Sequence, residues 1–321
     1  MNVVIIILNW RNSIDTLACI ESLLGLGYRK FKIVVCDNSS SDGSLEDFLD
    51  WSAENPDVAA QNFISLESED NAIRDAFVNR VVWIQTGANL GFAGGNNVGI
   101  RLALKLGGVD FFWLLNNDCV VAGDSLSYLC QYMTTHPDVG ICGAKVIYFH
   151  SPDRVQAYGG ASHDKWTGRA HYLGHLSHPD DPHDSVIVEN QLSYVAGASM
   201  FVRREFVERV GLMHEDYFLY FEEIDWALRG KGIFRLGYEP KAIVFHKEGG
   251  TIGSSSDTRK TSRLSDFYLF RNRLRFTRRF FPEALPSVWL VMLLQGIRRG
   301  LRGQFERMWL IFQILAGKQH L

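Results

Sequence analysis

The chain has 321 residues, enough to bury one large hydrophobic core or two smaller ones. Its 46% hydrophobic and 21% charged residues are typical of a globular protein, and we expect no secretory leader and no apolar run of the ~18 residues that span a bilayer. The net charge of −3 is unevenly distributed: residues 1–258 carry 20 Lys+Arg against 33 Asp+Glu, and residues 259–321 carry 13 against 3. We therefore predict an acidic domain over 1–258 and a basic extension over 259–321.

The first part of the chain alternates apolar strand patterns with helical ones. The patterns predict strands over 3–8, 32–36, 81–85 and 111–115, and helices over 15–24, over 44–51 and up to residue 106. Residues 52–80 are polar and predict an irregular insertion. Alternating strands and helices indicate an α/β fold with a doubly wound sheet, in which the polar strand ends share one edge.

The second part is less regular. Residues 150–192 contain Gly, Pro and six histidines, which indicate either a metal cluster or a solvated flap over a site. No histidine pair has a strong zinc spacing, so we favour the flap. Regular patterns return with an apolar stretch at 195–202, a helix over 205–210 and a strand near 243–245.

Polar residues follow the first two predicted strands. Asn9 and Trp10 end the first, and Asp37 and Asn38 end the second. Ligands bind at the carboxyl ends of strands in α/β sheets, and Asp37 can accept a hydrogen bond from the imide N–H of uracil or thymine. The alternative is a polar turn with a helix cap.

A glycine-rich stretch, residues 89–97, follows the third predicted strand. It contains Gly91 but no GxGxxG fingerprint. We expect a loop whose backbone comes close to a ligand, with amides supplied by Asn89 and Asn96. A simple turn is the alternative.

The sequence Asn116–Asn117–Asp118 ends the apolar strand at 111–115. A carboxylate at the end of a buried strand is costly unless it holds a positive charge. Asn116 and Asp118 are two residues apart and both carry hard oxygen atoms, so they can point the same way. They predict a divalent cation that in turn holds a phosphate; a helix-capping Asp is the alternative.

Three acids, Glu222, Glu223 and Asp225, lie in an aromatic segment, and His246 ends a late apolar strand. Like charges near apolar walls raise carboxylate pKa values, which makes a general base plausible near neutral pH. His246 is a candidate second ligand of the cation. The alternatives are acids that complement a helix dipole and an ordinary core histidine.

Taken in chain order, these residues resemble the family 2 glycosyltransferases with the GT-A fold, closest to a bacterial rhamnosyltransferase-like branch. The resemblance runs from Asn9–Trp10 to His246 and continues into the aromatic-Arg-Asn-Arg stretch at 267–273. It implies a Rossmann-like, nucleotide-binding mixed sheet flanked by helices, with a C-terminal helical extension. It also implies site roles: Asp37 at the nucleobase, 89–97 along the nucleotide, 116–118 and His246 at the metal, and 222–223 as the source of the base.

The function implied is an inverting transfer of a sugar, such as rhamnose, from a dTDP- or UDP-sugar to a hydroxyl of a glycan or lipid-linked acceptor in cell-surface polysaccharide synthesis, with Mg²⁺ or Mn²⁺. Two positions depart from the family pattern. Asn116 stands where Asp begins the metal motif, and Glu222–Glu223 replaces the commoner Glu-Asp or Asp-Asp. The base is therefore Glu223 or Asp225. A sugar-nucleotide nucleotidyltransferase and an inactive carbohydrate-binding scaffold are the rival functions.

The basic extension has two interpretations. Eight basic residues between Arg259 and Arg279 alternate with apolar and aromatic ones. They predict either a peripheral contact with the anionic inner face of the cell membrane or a helical subdomain with solvated arginines. We do not expect nucleic-acid binding, because the rest of the chain is acidic and no known motif is present. Five cysteines without paired spacing indicate reduced thiols and a cytoplasmic location.

Overall fold

The computed structural model describes residues 1–59, 64, 65, 74, 75, 77–248 and 262–320. The predicted boundary between residues 258 and 259 lies outside the described residues, and so does much of the insertion predicted over 52–80. The described residues form the predicted α/β fold, built on a mixed sheet flanked by helices.

A ten-stranded sheet is the frame of the molecule, and a three-stranded sheet lies beside it. The strands are β1 (Val3–Asn9), β2 (Phe31–Asp37), β3 (Ile64–Ser65), β4 (Val81–Gln85), β5 (Phe111–Asn116), β6 (Cys119–Val121), β7 (Val139–Tyr148), β8 (Val155–Tyr158), β9 (Gly160–Asp164), β10 (Arg169–Tyr172), β11 (Tyr194–Val195), β12 (Ser199–Arg203) and β13 (Arg235–His246). The large sheet has the order β3-β4-β2-β1-β5-β12-β7-β13-β6, with β8 on β7. It is mixed because β12 runs antiparallel to both β5 and β7.

Ten helices flank the sheets in the described chain. They are α1 (Ser13–Leu24), α2 (Ser44–Glu54), α3 (Gly91–Leu106), α4 (Ser125–Thr135), α5 (Ser185–Gln191), α6 (Arg204–Val210), α7 (Glu222–Gly230), α8 (Arg263–Phe280), α9 (Leu285–Leu301) and α10 (Phe305–Leu315). Ile5 and Ile7 of β1 belong to a core with α1, α2 and α4, whereas Ile6 belongs to a second core with α3, α6 and α7. Strand β1 is therefore buried on both faces, which explains its unbroken apolar run.

The glycine-rich stretch is the start of α3, so the prediction of a loop over 89–97 is wrong for most of its length. Gly95 and Gly99 are four residues apart and face β1. A Cβ on Gly95 would lie 2.2 Å from Leu8 Cδ1, and one on Gly99 would lie 2.8 Å from Ile6 Cγ2. These two glycines bring a helix close to the sheet rather than a loop close to a ligand.

Residues 150–192 contain three strands and a short helix joined by turns, so the segment has more regular structure than the predicted solvated flap, although residues 168–172 do line the cavity described below. β9 pairs with both β10 and β11, and α5 follows. β10 is exposed along its whole length, so its sequence lacks the apolar alternation that marks a strand. Within the described residues, none of the six histidines belongs to a group with metal-binding geometry.

Helices α8, α9 and α10 pack together around a core of their own. Phe267, Phe270 and Leu274 of α8 lie in this core with Val288 and Met292 of α9. The aromatic side chains of the basic stretch are therefore largely buried, which fits the helical subdomain, one of its two interpretations, better than an exposed surface. Phe276 faces another side of α8, where it packs with Tyr217 and Ile224. Among the described residues no helix is both long enough and apolar enough to cross a bilayer.

Candidate active site

A cavity of about 730 Å³ opens where β1, β2 and β5 end. Asn9 pairs with Asp37, and Leu8 pairs with Asn116, so the three strands end at one edge of the sheet. Ten of the residues predicted from the sequence line this cavity: Trp10, Asn38, Asn89, Gly91, Asn116, Asn117, Asp118, Glu222, Glu223 and His246. The other four, Asn9, Asp37, Asn96 and Asp225, lie outside its lining.

Asp118 and His246 form a close pair in the cavity wall. Cys119 pairs with His246 across β6 and β13, which brings the preceding residue, Asp118, beside the imidazole. Asp118 Oδ1 lies 3.0 Å from His246 Nε2. His246 Nδ1 lies 2.8 Å from Gln156 Oε1, which only accepts hydrogen bonds, so Nδ1 carries a proton and Gln156 orients the ring.

The electrostatics of this pair suit a hard cation. Burial alone would raise the pKa of Asp118, but the charge and hydrogen bond of His246 hold it below its ordinary value. Cys119 lies within 4.8 Å of both groups, but burial and the Asp118 charge raise the pKa of its thiol well above the ordinary value. A carboxylate and an imidazole without a thiolate suit Mg²⁺ or Mn²⁺ better than Zn²⁺. Asn116 lines the same cavity and offers an amide oxygen.

Three polar side chains of the cavity wall are held by hydrogen bonds. Asn38 Nδ2 donates to the Gly91 carbonyl at 2.9 Å, which fixes its amide plane. Asn117 Nδ2 donates to Thr16 Oγ1 at 3.1 Å. Asn89 Oδ1 accepts from the Gly91 N–H at 3.1 Å. This wall is thus fixed by its own hydrogen bonds.

Asp37 lies behind that wall and is fully buried. Its Oδ1 accepts from Asn9 Nδ2 at 2.7 Å and from Ser40 Oγ at 2.5 Å. Asn96 is also buried, and its Nδ2 donates to the Phe92 carbonyl one turn earlier in α3. The contact of Asp37 with a nucleobase and the ligand contact of Asn96 stay predictions, and in this structure the hydrogen bonds of both side chains are internal.

Glu222 and Glu223 open α7 and line the cavity. Burial raises the pKa of Glu223 to about 7. Burial and then the Glu223 charge raise the pKa of Glu222, whose Oε2 is buried without a partner in the described chain. Gly197 makes room for Glu223, because a Cβ there would lie 2.6 Å from Glu223 Oε1. A carboxyl with a pKa near 7 is well placed to accept a proton at neutral pH.

The loop before α7 is held in a costly conformation. Phe218, Tyr220 and Phe221 have φ angles of 65°, 66° and 75°, in the left-handed region that non-glycine residues rarely adopt. Asn272 of α8 stabilises this loop: its Nδ2 donates to the carbonyls of Leu219 at 2.7 Å and Tyr220 at 3.1 Å. The C-terminal helices therefore fix the loop that presents the two glutamates.

Asp225 is one turn into α7 but does not reach the cavity. It is fully buried, and its Oδ1 lies 2.7 Å from Arg229 Nε. Its Oδ2 lies 3.0 Å from Arg279 Nη1 and accepts from the Tyr217 hydroxyl at 3.0 Å. With both oxygens engaged, Asp225 is placed to tie α7 to α8 rather than to contact a substrate.

Sequence analysis gave no role to Gln156, Gly197, Asn272 or Arg273, all of which contribute to the site. Gln156 lies in the segment without strand patterning and had no signal. Gly197 interrupts an apolar stretch, and an isolated Gly in a strand pattern is a usable sign of close approach. Asn272 and Arg273 belong to the aromatic-Arg-Asn-Arg stretch, whose position against the cavity follows only from the packing of α8.

Solved structures of other proteins have a similar fold. The mannosyltransferase PcManGT from Pyrobaculum calidifontis, solved with GDP-Man and Mn²⁺, is similar with a TM-score of 0.57 and 14% identity, over 99% of this chain and 86% of that one. S. aureus TarS 1–349 is similar with a TM-score of 0.54 and 12% identity, over 98% of this chain and 81% of that one. Its complex with UDP-GlcNAc is similar with a TM-score of 0.53 and 11% identity, over 94% of this chain and 73% of that one. At these identities the likeness shows the fold alone.

Sequence comparison with curated proteins gives no match. The family model described as glycosyltransferase-like family 2 matches residues 2–275, which is most of the chain. This match confirms the family, but not the rhamnosyltransferase-like branch, of the resemblance seen in the sequence. The protein is therefore a member of the glycosyltransferase-like family 2, with a GT-A-like fold.

Proposed function

We propose that this glycosyltransferase is metal-dependent and inverting, and that it takes its sugar from a nucleotide-diphosphate donor. The observation that carries the proposal is a cavity that holds both the Asp118–His246 pair and Glu223. The pair can bind a cation that holds the diphosphate, and the Glu223 carboxylate can accept a proton. The similar structures with GDP-Man and Mn²⁺ and with UDP-GlcNAc support such a donor.

Asp118, Asn116 and His246 would hold the Mg²⁺ or Mn²⁺ ion. When bound, its charge stabilises the diphosphate that leaves the sugar. Asp118 is ionised at neutral pH because its pKa lies below the ordinary value. Gln156 keeps a proton on His246 Nδ1, so the ion would bind at Nε2 in place of the proton that Nε2 donates to Asp118.

Glu223 acts as the base in this proposal. It accepts the proton of the acceptor hydroxyl while that oxygen attacks the anomeric carbon, and the bond from that carbon to the diphosphate oxygen breaks on the opposite face. One displacement inverts the anomeric configuration. Asp225 is the weaker candidate, because Arg229 and Arg279 engage its two oxygens. Glu222 lies beside the base, and burial together with the Glu223 charge raises the pKa of its carboxyl, so the charge of the pair resides on Glu223.

The nucleoside is assigned to the wall formed by Trp10, Asn38, Asn89 and Asn117. Asp37 contacts the base in this proposal only if the hydrogen bonds from Asn9 and Ser40 to it exchange for the nucleobase. The donor and acceptor follow from the family branch that the sequence resembles. The donor is a dTDP- or UDP-linked sugar, with rhamnose as the first candidate sugar. The acceptor is a glycan or a lipid-linked molecule of cell-surface polysaccharide synthesis.

Titration calorimetry tests the donor. We expect one of dTDP-rhamnose, UDP-GlcNAc and GDP-mannose to bind the purified chain with Mn²⁺ and much less without it. Asp118→Asn should weaken this binding by about tenfold or more, and the exposed Asp124→Asn should leave it unchanged. Binding of none of them would contradict the proposal and favour the scaffold function, for which Asn116 in the metal motif is the argument.

The membrane contact also belongs to the proposal, on different residues from those expected. Leu290, Leu294, Ile297 and Leu301 recur along one side of α9 and are 52%, 55%, 44% and 85% exposed. Phe305 and Trp309 continue the apolar surface on α10, and Arg298 and Arg302 flank it. We call these six apolar residues the α9–α10 face. An apolar face with basic flanks fits an anionic lipid surface, which would hold the enzyme peripherally at the cytoplasmic face of the membrane.

A further inference from the structure

Part of the cavity wall carries arginines instead of acids. Arg273 of α8, Arg299 of α9 and Arg169 of β10 line the same cavity as Glu223. Arg299 is neutralised by Asp266, whose Oδ2 lies 2.6 Å from Arg299 Nη1. In the described part of the chain, no carboxylate forms an ion pair with Arg273 or Arg169. Two positive charges are thus left without compensation at this end of the site.

Arg273 is 5% exposed, which is unusual for a guanidinium without a carboxylate partner. Its Nη1 donates to Gln295 Oε1 at 2.8 Å, and its Cζ lies 5.2 Å from the Phe270 ring centroid. Its Nε has no hydrogen-bond partner among the described residues. A Cβ on Gly168 would lie 2.8 Å from Arg273 Cγ, so the turn between β9 and β10 presses on the side chain. The guanidinium is therefore held in place before any ligand arrives.

The charge of Arg273 persists despite its burial. Burial and then the charges of Arg169 and Arg299 lower its pKa to about 10. The group is still protonated at neutral pH, and keeping a buried positive charge among other positive charges costs free energy unless a ligand supplies the opposite charge. The Asp118–His246 pair, just before β6 and at the end of β13, faces the same cavity, so the two ends of the site suit different ligand groups.

We propose that Arg273 and Arg169 form an anion subsite that binds a phosphate group of the acceptor. The inference rests on the proposed glycosyl transfer, in which the donor diphosphate is served by the Asp118–His246 pair. A phosphate carries about −1.5 to −2 charges at neutral pH, which matches two uncompensated arginines better than a single carboxylate does. The planar guanidinium fork also matches two phosphate oxygens at once.

Calorimetric titration with glucose 1-phosphate in EDTA tests the subsite without metal at Asp118. We expect Arg273→Gln to weaken binding by about tenfold or more and Arg169→Gln by several-fold. Arg169 is exposed, so its replacement cannot act by disrupting the core. Arg278→Gln, also exposed and on α8, should bind like the wild type. No binding by the wild type, or equal weakening in Arg278→Gln, would overturn the proposal.

A second arm identifies the source of the phosphate. Vesicles of phosphatidylcholine with phosphatidic acid offer a lipid-borne phosphate, and vesicles of phosphatidylcholine alone do not. A loss in Arg273→Gln confined to the phosphatidic acid vesicles supports a lipid-linked acceptor, and a loss confined to glucose 1-phosphate supports a soluble one. Unchanged binding to both would contradict the subsite.

Donor titration with Mn²⁺ on the same proteins separates this inference from the proposed function. Arg273→Gln should keep donor affinity, and Asp118→Asn should lose donor affinity but keep glucose 1-phosphate. If Arg273→Gln loses donor affinity as well, the arginines serve the donor and the acceptor assignment is overturned. If the wild type binds no donor but shows arginine-dependent phosphate binding, the proposed function fails and the subsite stands.

Discussion

Gly197 and Glu223 are in direct contact: a Cβ at position 197 would lie 2.6 Å from Glu223 Oε1 and 3.4 Å from Glu223 Cδ. Real β carbons essentially never approach an oxygen this closely, so any side chain at 197 must displace the carboxylate. The φ angle of Gly197 is not in the left-handed region. Glycine is therefore needed here for space and not for its backbone conformation.

Gly197→Ala should lower the rate of sugar transfer by about 10- to 100-fold while the protein stays folded, because a misplacement of about 1 Å is costly in a preorganised site. Circular dichroism and a steady-state assay on the same sample check this. Gly123→Ala is the matched control, since a Cβ there meets no atom within 4 Å. Wild-type activity in Gly197→Ala would show that the Glu223 position is not critical.

The rate of transfer should rise with pH through the region near 7. Glu223 accepts a proton only when ionised, and burial raises its pKa to about 7, so the base is lost as the pH falls below that value. Glu223→Gln should be slower by about 10²–10⁴-fold and should lose this limb of the profile. A pH–rate profile with an unchanged limb in Glu223→Gln would assign the titration to another group.

The raised pKa of Glu223 also predicts that the stability of the protein falls as the pH rises, whereas the rate of transfer rises. A carboxyl whose folded-state pKa exceeds its unfolded-state value binds more protons when folded, so its contribution falls as the pH rises from about 4.5 towards 7. Glu223→Gln should then stabilise the protein by about 3 kcal/mol at pH 8 and by little at pH 4.5. Urea unfolding at both pH values measures this difference, and a pH-independent change would contradict it.

Asp225→Asn should act on stability rather than on chemistry. The substitution leaves Arg229 and Arg279 without the buried carboxylate that lies 2.7 Å and 3.0 Å from them. Breaking a buried pair by removing one partner costs about 3–5 kcal/mol. Asp216→Asn is the control, because its pair with Arg275 is on the surface and is worth about 1 kcal/mol or less. A large rate loss in folded Asp225→Asn would instead support Asp225 as the base.

The sequence predicted the sheet edge well because buried strands leave a strong signal. The apolar run at 111–115 and its polar end are visible without tertiary information, and parallel strands bring such ends to one edge. The first helix and the first two strands were placed within two residues of their observed ends. Ten of the fourteen candidate site residues accordingly line one cavity.

The features that the sequence did not predict depend on contacts between distant segments. Asp37 and Asp225 are acids in suggestive positions, and only packing shows that Ser40 and Arg279 engage them. The segment at 150–192 hid β10 because that strand has no buried face. The basic stretch of α8 kept two interpretations because composition does not say which side of a helix faces its neighbours.

The exposed apolar residues of the α9–α10 face should contribute to binding of lipid vesicles. Burying a leucine side chain is worth about 1.5–3 kcal/mol, and Leu290 and Leu294 are about half exposed, so their burial in lipid adds about 1 kcal/mol each. Replacing both with Gln should weaken vesicle binding by about 30-fold. Flotation with phosphatidylglycerol vesicles measures this loss.

A control for apolarity comes from α5, where Val186 and Ile187 are 61% and 56% exposed but have no basic flank. Their double Gln variant should float like the wild type. If the arginines beside the α9–α10 face attract anionic lipid, flotation should fall at 1 M salt, where the Debye length is only about 3 Å. The binding that remains at this salt concentration should come from the apolar side chains. Equal flotation of the wild type and the Leu290/Leu294 variant would mean that this face meets a protein surface rather than lipid, because exposed leucines on adjacent helices still need an apolar partner.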